Sequence, residues 1–205
     1  MQYGPFKAYS RGKVALRSTD ANDEPLVSFN LLSDSRDLSR MIDATRFAYG
    51  VLNSPPVRNM VDVMFAGVFG NLMRSLHVKG RFSEVFTRVG AKVLDLGGLP
   101  RKLALRFVVD RRFDIHELMT DERKLEEWIR FGVQGDWHAC GTCAIGAKDN
   151  RFAVVDPRAR VYGVENLRVV DASIMPSIPT ANTALTTFMV AEKAADMIIE
   201  DGRTR

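Results

Sequence analysis

Trp137-His138-Ala139-Cys140-Gly141-Thr142-Cys143-Ala144-Ile145-Gly146 places one histidine beside a Gly-Thr turn, directly after a segment that reads as a helix. An unperturbed imidazole titrates near pH ~6.5, so it can accept a proton at neutral pH. Further on, Ile178-Pro179-Thr180-Ala181-Asn182-Thr183 runs into Ala191-Glu192-Lys193-Ala194-Ala195-Asp196. A base, together with an amide able to hold an oxygen, suits chemistry on a hydroxyl group. Each residue alone also has an ordinary reading. A single histidine is commonly a satisfied structural residue, and asparagine is common in turns and helix caps.

Working outward, Asp121 caps a helix through Leu125, Trp128 and Ile129 that delivers the chain to His138. Phe152-Ala153-Val154-Val155 reads as a short strand turned by Asp156-Pro157. Leu167-Arg168-Val169-Val170 reads as an apolar strand ending at Asp171-Ala172-Ser173. A last helix, from about Ala184 to Glu200, is apolar over much of its surface, and such a helix is expected to be buried.

Toward the N-terminus, Val14 and Leu16 alternate as in a strand. Asn22, Asp23 and Pro25 make a turn, and residues 26–31 form a second strand, giving a hairpin or meander. Asp37 or a nearby serine can cap a helix with Leu38, Met41, Ile42, Phe47 and Val51 on its apolar side, ended by Pro55-Pro56. Phe65, Val68, Phe69, Leu72 and Leu76 predict another helix, and Val85, Phe86, Val89, Val93 and Leu96 repeat the spacing. Gly97-Gly98-Leu99-Pro100 breaks the chain. Leu103, Leu105, Phe107 and Val109 fit a strand or a buried helix.

The 205 residues carry a net charge of +4, unevenly spread. Between Arg74 and Arg112 there are ten Lys or Arg against three acids. Such a segment is a solvated face, or it meets an acidic partner or an anionic membrane. No run of apolar residues is long enough to span a bilayer, and no signal peptide is evident. With only two cysteines, a reducing cytoplasm is the expected compartment, with membrane association left open by the basic segment. Cys140-Gly141-Thr142-Cys143 has redox spacing, but it follows a helix where thioredoxin-like sites open one, and metal binding would need two more ligands. A buried, small apolar pair is the better reading, and no metal site is expected. His77 and His116 have no supporting context.

The company of His138 resembles the C-terminal region of the glucose–methanol–choline (GMC) flavin-dependent oxidoreductases. Ser10-Arg11-Gly12, Pro25, Asn30-Leu31 and Asp37-Leu38 are similar to its start. Residues 121–125, Trp137-His138, Gly141-Thr142 and Gly146 are similar to its middle. Residues 164–173, Met175-Pro176, Asn182-Thr183 and Ala191-Glu192-Lys193 are similar to its end. The resemblance covers about residues 8–60 and 118–200.

The resemblance implies a CH–OH oxidation to a carbonyl with hydride transfer to FAD, as in choline dehydrogenase-like enzymes. It implies that His138 takes the hydroxyl proton and that Asn182 is the second active-site position. Trp137, Asp171, Ala172 and Thr183 are implied to lie against the cofactor. The expected fold is α+β. Residues 1–166 would supply a substrate-domain portion, an antiparallel sheet flanked by helices, with 61–115 an unaligned basic helical insertion. Residues 167–205 would add a strand and helix to a FAD-binding α/β domain. No G-x-G-x-x-G occurs, so the N-terminal Rossmann part that cradles the pyrophosphate is absent from this sequence. The expected partners are a small alcohol and an N-terminal FAD-binding portion or subunit, with no nucleic acid. The alternative is a truncated, non-catalytic remnant or interaction module that keeps the fold signature.

Overall fold

The computed structural model describes residues 3–61, 63–66, 80–108 and 113–203. By packing, the chain divides into two compact units. One holds Met1–Tyr3 with Leu38–Val133, and the other Gly4–Asp37 with Gln134–Arg205. This cut by packing is made on different grounds from the cut at residue 166 expected from the sequence.

The first unit is helical. Most of α1 (Ser35–Asn53) belongs to it, followed by α2 (Pro55–Arg58), whose two prolines open the helix where a missing N–H costs nothing. Then come α3 (Arg81–Asp95), α4 (Gly98–Val108), α5 (Ile115–Thr120) and α6 (Glu122–Gly132). Gly97 and Gly98 take left-handed backbone, which breaks the chain between α3 and α4 at low steric cost. The alternating residues from Leu103 are therefore helical as far as Val108. Asp114 caps α5 and Asp121 caps α6, each accepting two backbone N–H groups. Leu118, Leu125 and Ile129 are almost fully buried, and Phe113 stacks near Phe131 at 6.0 Å. Thr45, also buried, donates to the Met41 carbonyl and accepts from the Tyr3 hydroxyl. The helix expected through Phe65–Leu76 falls largely on residues 67–79, outside the described residues.

The second unit opens with an antiparallel hairpin, β1 (Lys13–Ala15) against β2 (Leu26–Ser28), in the register Lys13↔Ser28, Val14↔Val27, Ala15↔Leu26. Gly12 is required there, because a Cβ would lie 2.2 Å from the Ser28 carbonyl oxygen. Both faces of the hairpin are exposed, so it adds little core of its own. The expected antiparallel sheet is thus reduced, among the described residues, to two strands in a mixed, mainly helical fold.

Asp37 is not the cap of α1. Asp34 does that work, accepting the Arg36 backbone N–H. Asp37, 3% exposed, turns back instead and accepts the N–H groups of Tyr9 and Ser10 and the Ser10 hydroxyl. A carboxylate in the first turn of a helix favours the helix dipole, and here it also fixes the incoming chain.

Two expected strands are corrected. Residues 152–155 and 167–170 form isolated bridges instead: Ile145↔Val155, Val155↔Val161 and Arg160↔Arg168. Pro157 has no N–H to donate, and left-handed residues at Ala159, Gly163 and Asn166 turn the chain after each short pairing. Val155, fully buried, is the shared centre. The last helix, α7 (Thr183–Arg203), is also corrected. It was expected to be buried, yet Leu185 is 80% and Phe188 69% exposed, and only Thr183 and Ala194 are buried. Its apolar surface exceeds what the rest of the described chain covers.

Candidate active site

The second unit builds the site from three loops and the start of α7. After α6 the chain runs extended to Trp137, which adopts φ +59° and leaves its indole 94% exposed. A tryptophan in the left-handed region is an uncommon and costly arrangement, and such outliers cluster where a ligand or reaction requires them. The turn carries His138 inward, where it is half-buried.

The His138 loop is fastened to the segment before α7. Gly141 takes φ +89°, where an L side chain is strained, and a Cβ on it would lie a tight 3.3 Å from the Met175 carbonyl oxygen. The Cys143 N–H donates to the Ser173 carbonyl at 3.0 Å, and the Ile145 N–H to Ile174 at 2.8 Å. Ala172–Ile174 is a single 3₁₀ turn capped by Asp171, whose carboxylate accepts the N–H and hydroxyl of Ser173.

His138 Nδ1 lies 3.1 Å from the Thr183 hydroxyl. Thr183 is buried and is the first residue of α7, so the His138 ring is braced by the start of a long helix. Asn182, the residue just before, is exposed. The two sequence blocks around His138 and Asn182 are therefore brought together, and the turn that Ala172 opens is tied to the same loop through Ser173 and Ile174. Sequence reasoning assigned Thr183 to the cofactor and missed its bond to His138. A pair 45 residues apart gives no local signal.

The first amides of a helix have no partner within it, and here Ala181, Asn182, Ala184 and Leu185 around them are all exposed. Open N–H groups with the positive end of the helix dipole suit a phosphate or a carbonyl edge of a ring. At its other end α7 is clipped by charge. Arg158 donates to Asp201 at 2.8 Å, to Glu200 and to the Met197 carbonyl, and Arg168 pairs with Asp201 as well. The Arg168 hydrogen bond, supported by Arg158, holds the Asp201 carboxyl below its ordinary range.

Cys140 and Cys143 are free thiols, half-buried rather than buried, and burial pushes the Cys140 thiol up, away from the reactive thiolate. No cluster of metal-ligating residues occurs among the described residues. His116 belongs to the first unit, where Nδ1 lies 2.9 Å from the Tyr49 hydroxyl. His77 lies outside the described residues.

Residues 8–191 match the family model described as GMC oxidoreductase. The chain is 38% identical over 193 residues to the 5-(hydroxymethyl)furfural oxidase of Methylovorus sp., covering 94% of this chain and 30% of that protein. It is 31% identical to the oxygen-dependent choline dehydrogenase of Brucella ovis, covering 98% of this chain and 28% of that protein. Among solved structures it is similar in fold to a fungal aryl-alcohol oxidase, at TM-score 0.63 and 24% identity, over 97% of this chain and 25% of that one. The chain thus spans less than a third of the length of these relatives. A match over nearly its whole length, on the site blocks as well as between them, makes this chain a member of the GMC oxidoreductase family.

Proposed function

We propose that this chain is the catalytic C-terminal portion of an FAD-dependent oxidoreductase that converts a CH–OH group to a carbonyl. The observation that carries the reading is the hydrogen bond between His138 and Thr183. With Nδ1–H donating to the Thr183 oxygen, His138 keeps a lone pair on Nε2, the atom that accepts the hydroxyl proton. A positioned base is worth roughly 10²–10⁴-fold in rate. The Asn182 amide cannot act as a base at neutral pH, but its NH₂ donates to the oxygen as negative charge develops there. As the O–H proton passes to Nε2, the C–H hydrogen leaves as hydride and the C–O bond becomes double.

FAD, when bound, supplies the hydride acceptor. The open α7 start and the turn at Ala172 fit its polar edge. Thr183 and Ala184 offer backbone N–H groups, Asp171 holds the turn in shape, and Trp137 supplies a flat apolar wall. The phosphate-cradling glycine loop would come from an N-terminal FAD-binding portion. The uncovered line Leu185, Phe188 and Met189 on α7 supports a further piece of protein packing there. The test is a polypeptide joining this chain to a flavin-binding portion, with bleaching of flavin absorbance followed on addition of a primary alcohol. Bleaching that His138→Ala leaves as fast as before would reject the reading.

A further inference from the structure

The helical pair α3–α4 in the first unit has no role in the chemistry above, and its surface is unusual. The two helices pack on each other through the turn at Gly97-Gly98. On α3, Phe86, Gly90 and Val93 are half-buried and turn toward the unit, whereas Val85 and Val89 are exposed. Val85, Val89 and Leu96 lie on one line, since spacings of four and eleven residues return to the same side of a helix. Leu96 is 73% exposed, and past the turn Leu99 and Leu103 on α4 are exposed as well. Arg88, exposed, stands to one side of that line; Lys92, also exposed and seven residues after Val85, falls on the line itself; and exposed Lys102 is a neighbour of Leu99 and Leu103 on α4.

Residues 80–108 contain six Lys or Arg against two acids, Glu84 and Asp95. An exposed line of aliphatic side chains set with cations on long flexible stems matches a helix lying in the headgroup region of an anionic bilayer. The cations complement lipid phosphate and carboxylate. No described helix is long and apolar enough to cross a membrane, so the contact is peripheral.

We propose that the α3–α4 hairpin docks this chain onto an anionic lipid surface, with Val85, Val89, Leu96, Leu99 and Leu103 entering the interface and Arg88, Lys92 and Lys102 meeting the headgroups. This is independent of the catalytic reading, and either can fail alone.

The test is co-sedimentation of the full chain with phosphatidylcholine vesicles, with or without about 30% phosphatidylserine, at low and high salt. The expected result is binding to the anionic vesicles at low salt, little to neutral ones, and weakening as salt screens the headgroups. R88E/K92E/K102E and, separately, Leu96→Ser/Leu99→Ser should each weaken binding on the order of tenfold or more. All five positions are exposed, and circular dichroism checks that the helices remain. Slowed amide hydrogen exchange over residues 81–103 on adding anionic vesicles reads the same contact without any substitution. No binding to anionic vesicles, binding that neither variant weakens, or protection located elsewhere overturns the proposal. Loss of binding in the charge variant alone, with equal capture by soluble poly-aspartate, points to an acidic protein partner and overturns it as well.

Discussion

The Thr183 hydroxyl stands 3.1 Å from His138 Nδ1, so the first residue of the longest helix braces the histidine ring. Removing the base and removing its brace should therefore have different costs. In a polypeptide with a flavin-binding portion, His138→Ala should lower turnover on the order of 10²-fold or more, because the proposed function makes this ring the proton acceptor. Thr183→Val keeps the base and loses one neutral hydrogen bond of about 1 kcal/mol, a cost of about fivefold. Asn182→Ala should fall between them, since it removes a donor to the developing alkoxide. Stopped-flow flavin reduction at saturating alcohol gives the three rates. A Thr183→Val rate as low as that of His138→Ala would show that the hydroxyl does more than orient the ring.

This chain by itself should not retain FAD. It offers an open helix start and one turn, but no glycine loop for the pyrophosphate. Protein incubated with FAD and passed through gel filtration should emerge without flavin absorbance. Stoichiometric yellow protein would mean that residues 1–205 hold the cofactor by contacts not identified above.

What the sequence made legible was mostly local. The Asp121 cap, the turn at Gly97-Gly98 and the hairpin each depend on a few neighbouring residues, and all three are observed. The α7 helix was legible in extent but not in burial. Hydropathy at Leu185 and Phe188 says what would gain from cover, not whether this chain provides it. Val154 and Val155 suggested a strand by composition, but pairing there is limited to single bridges by turns at Ala159 and Gly163. The left-handed Trp137 and the Thr183 brace had no sequence signal, because tryptophan does not favour that backbone and 45 residues separate the bonded pair. Asp37 was singled out for the wrong contact, since capping and back-bonding use the same residue type at nearly the same place.

Asp37→Ala should destabilise the chain through the N-terminal segment. The carboxylate satisfies the N–H groups of Tyr9 and Ser10 in a buried position, and alanine leaves them without acceptors. The expected cost is on the order of 2–3 kcal/mol. Urea unfolding should show a lower midpoint with the α6 cap unaffected, and Asp37→Asn, which keeps one acceptor oxygen, should recover part of the loss. Unchanged midpoints in both variants would show that this tie contributes no stability.

Acid should loosen the far end of α7 first. Asp201 accepts from Arg168 and, at 2.8 Å, from Arg158, so its carboxyl titrates below the ordinary range in the folded chain. A carboxyl that is lowered on folding stabilises fully above its unfolded value, near pH ~4, and that contribution fades as pH falls through the folded value. Asp34, brought to about 2 mainly by its hydrogen bond from Arg36, and Asp156 act in the same direction. For Asp156, burial works the other way but is outweighed by hydrogen bonds from Arg160 and Arg158. Stability should therefore be level from neutral pH to about pH 5 and decline below about pH 4. Asp201→Asn should be less stable than wild type at neutral pH, and the gap should close on acidification, because the protonated wild type has already lost the same ion pairs. Hydrogen exchange over residues 195–203 should show the same convergence. A gap that persists unchanged down to about pH 2.5 would mean that Asp201 contributes packing and not charge.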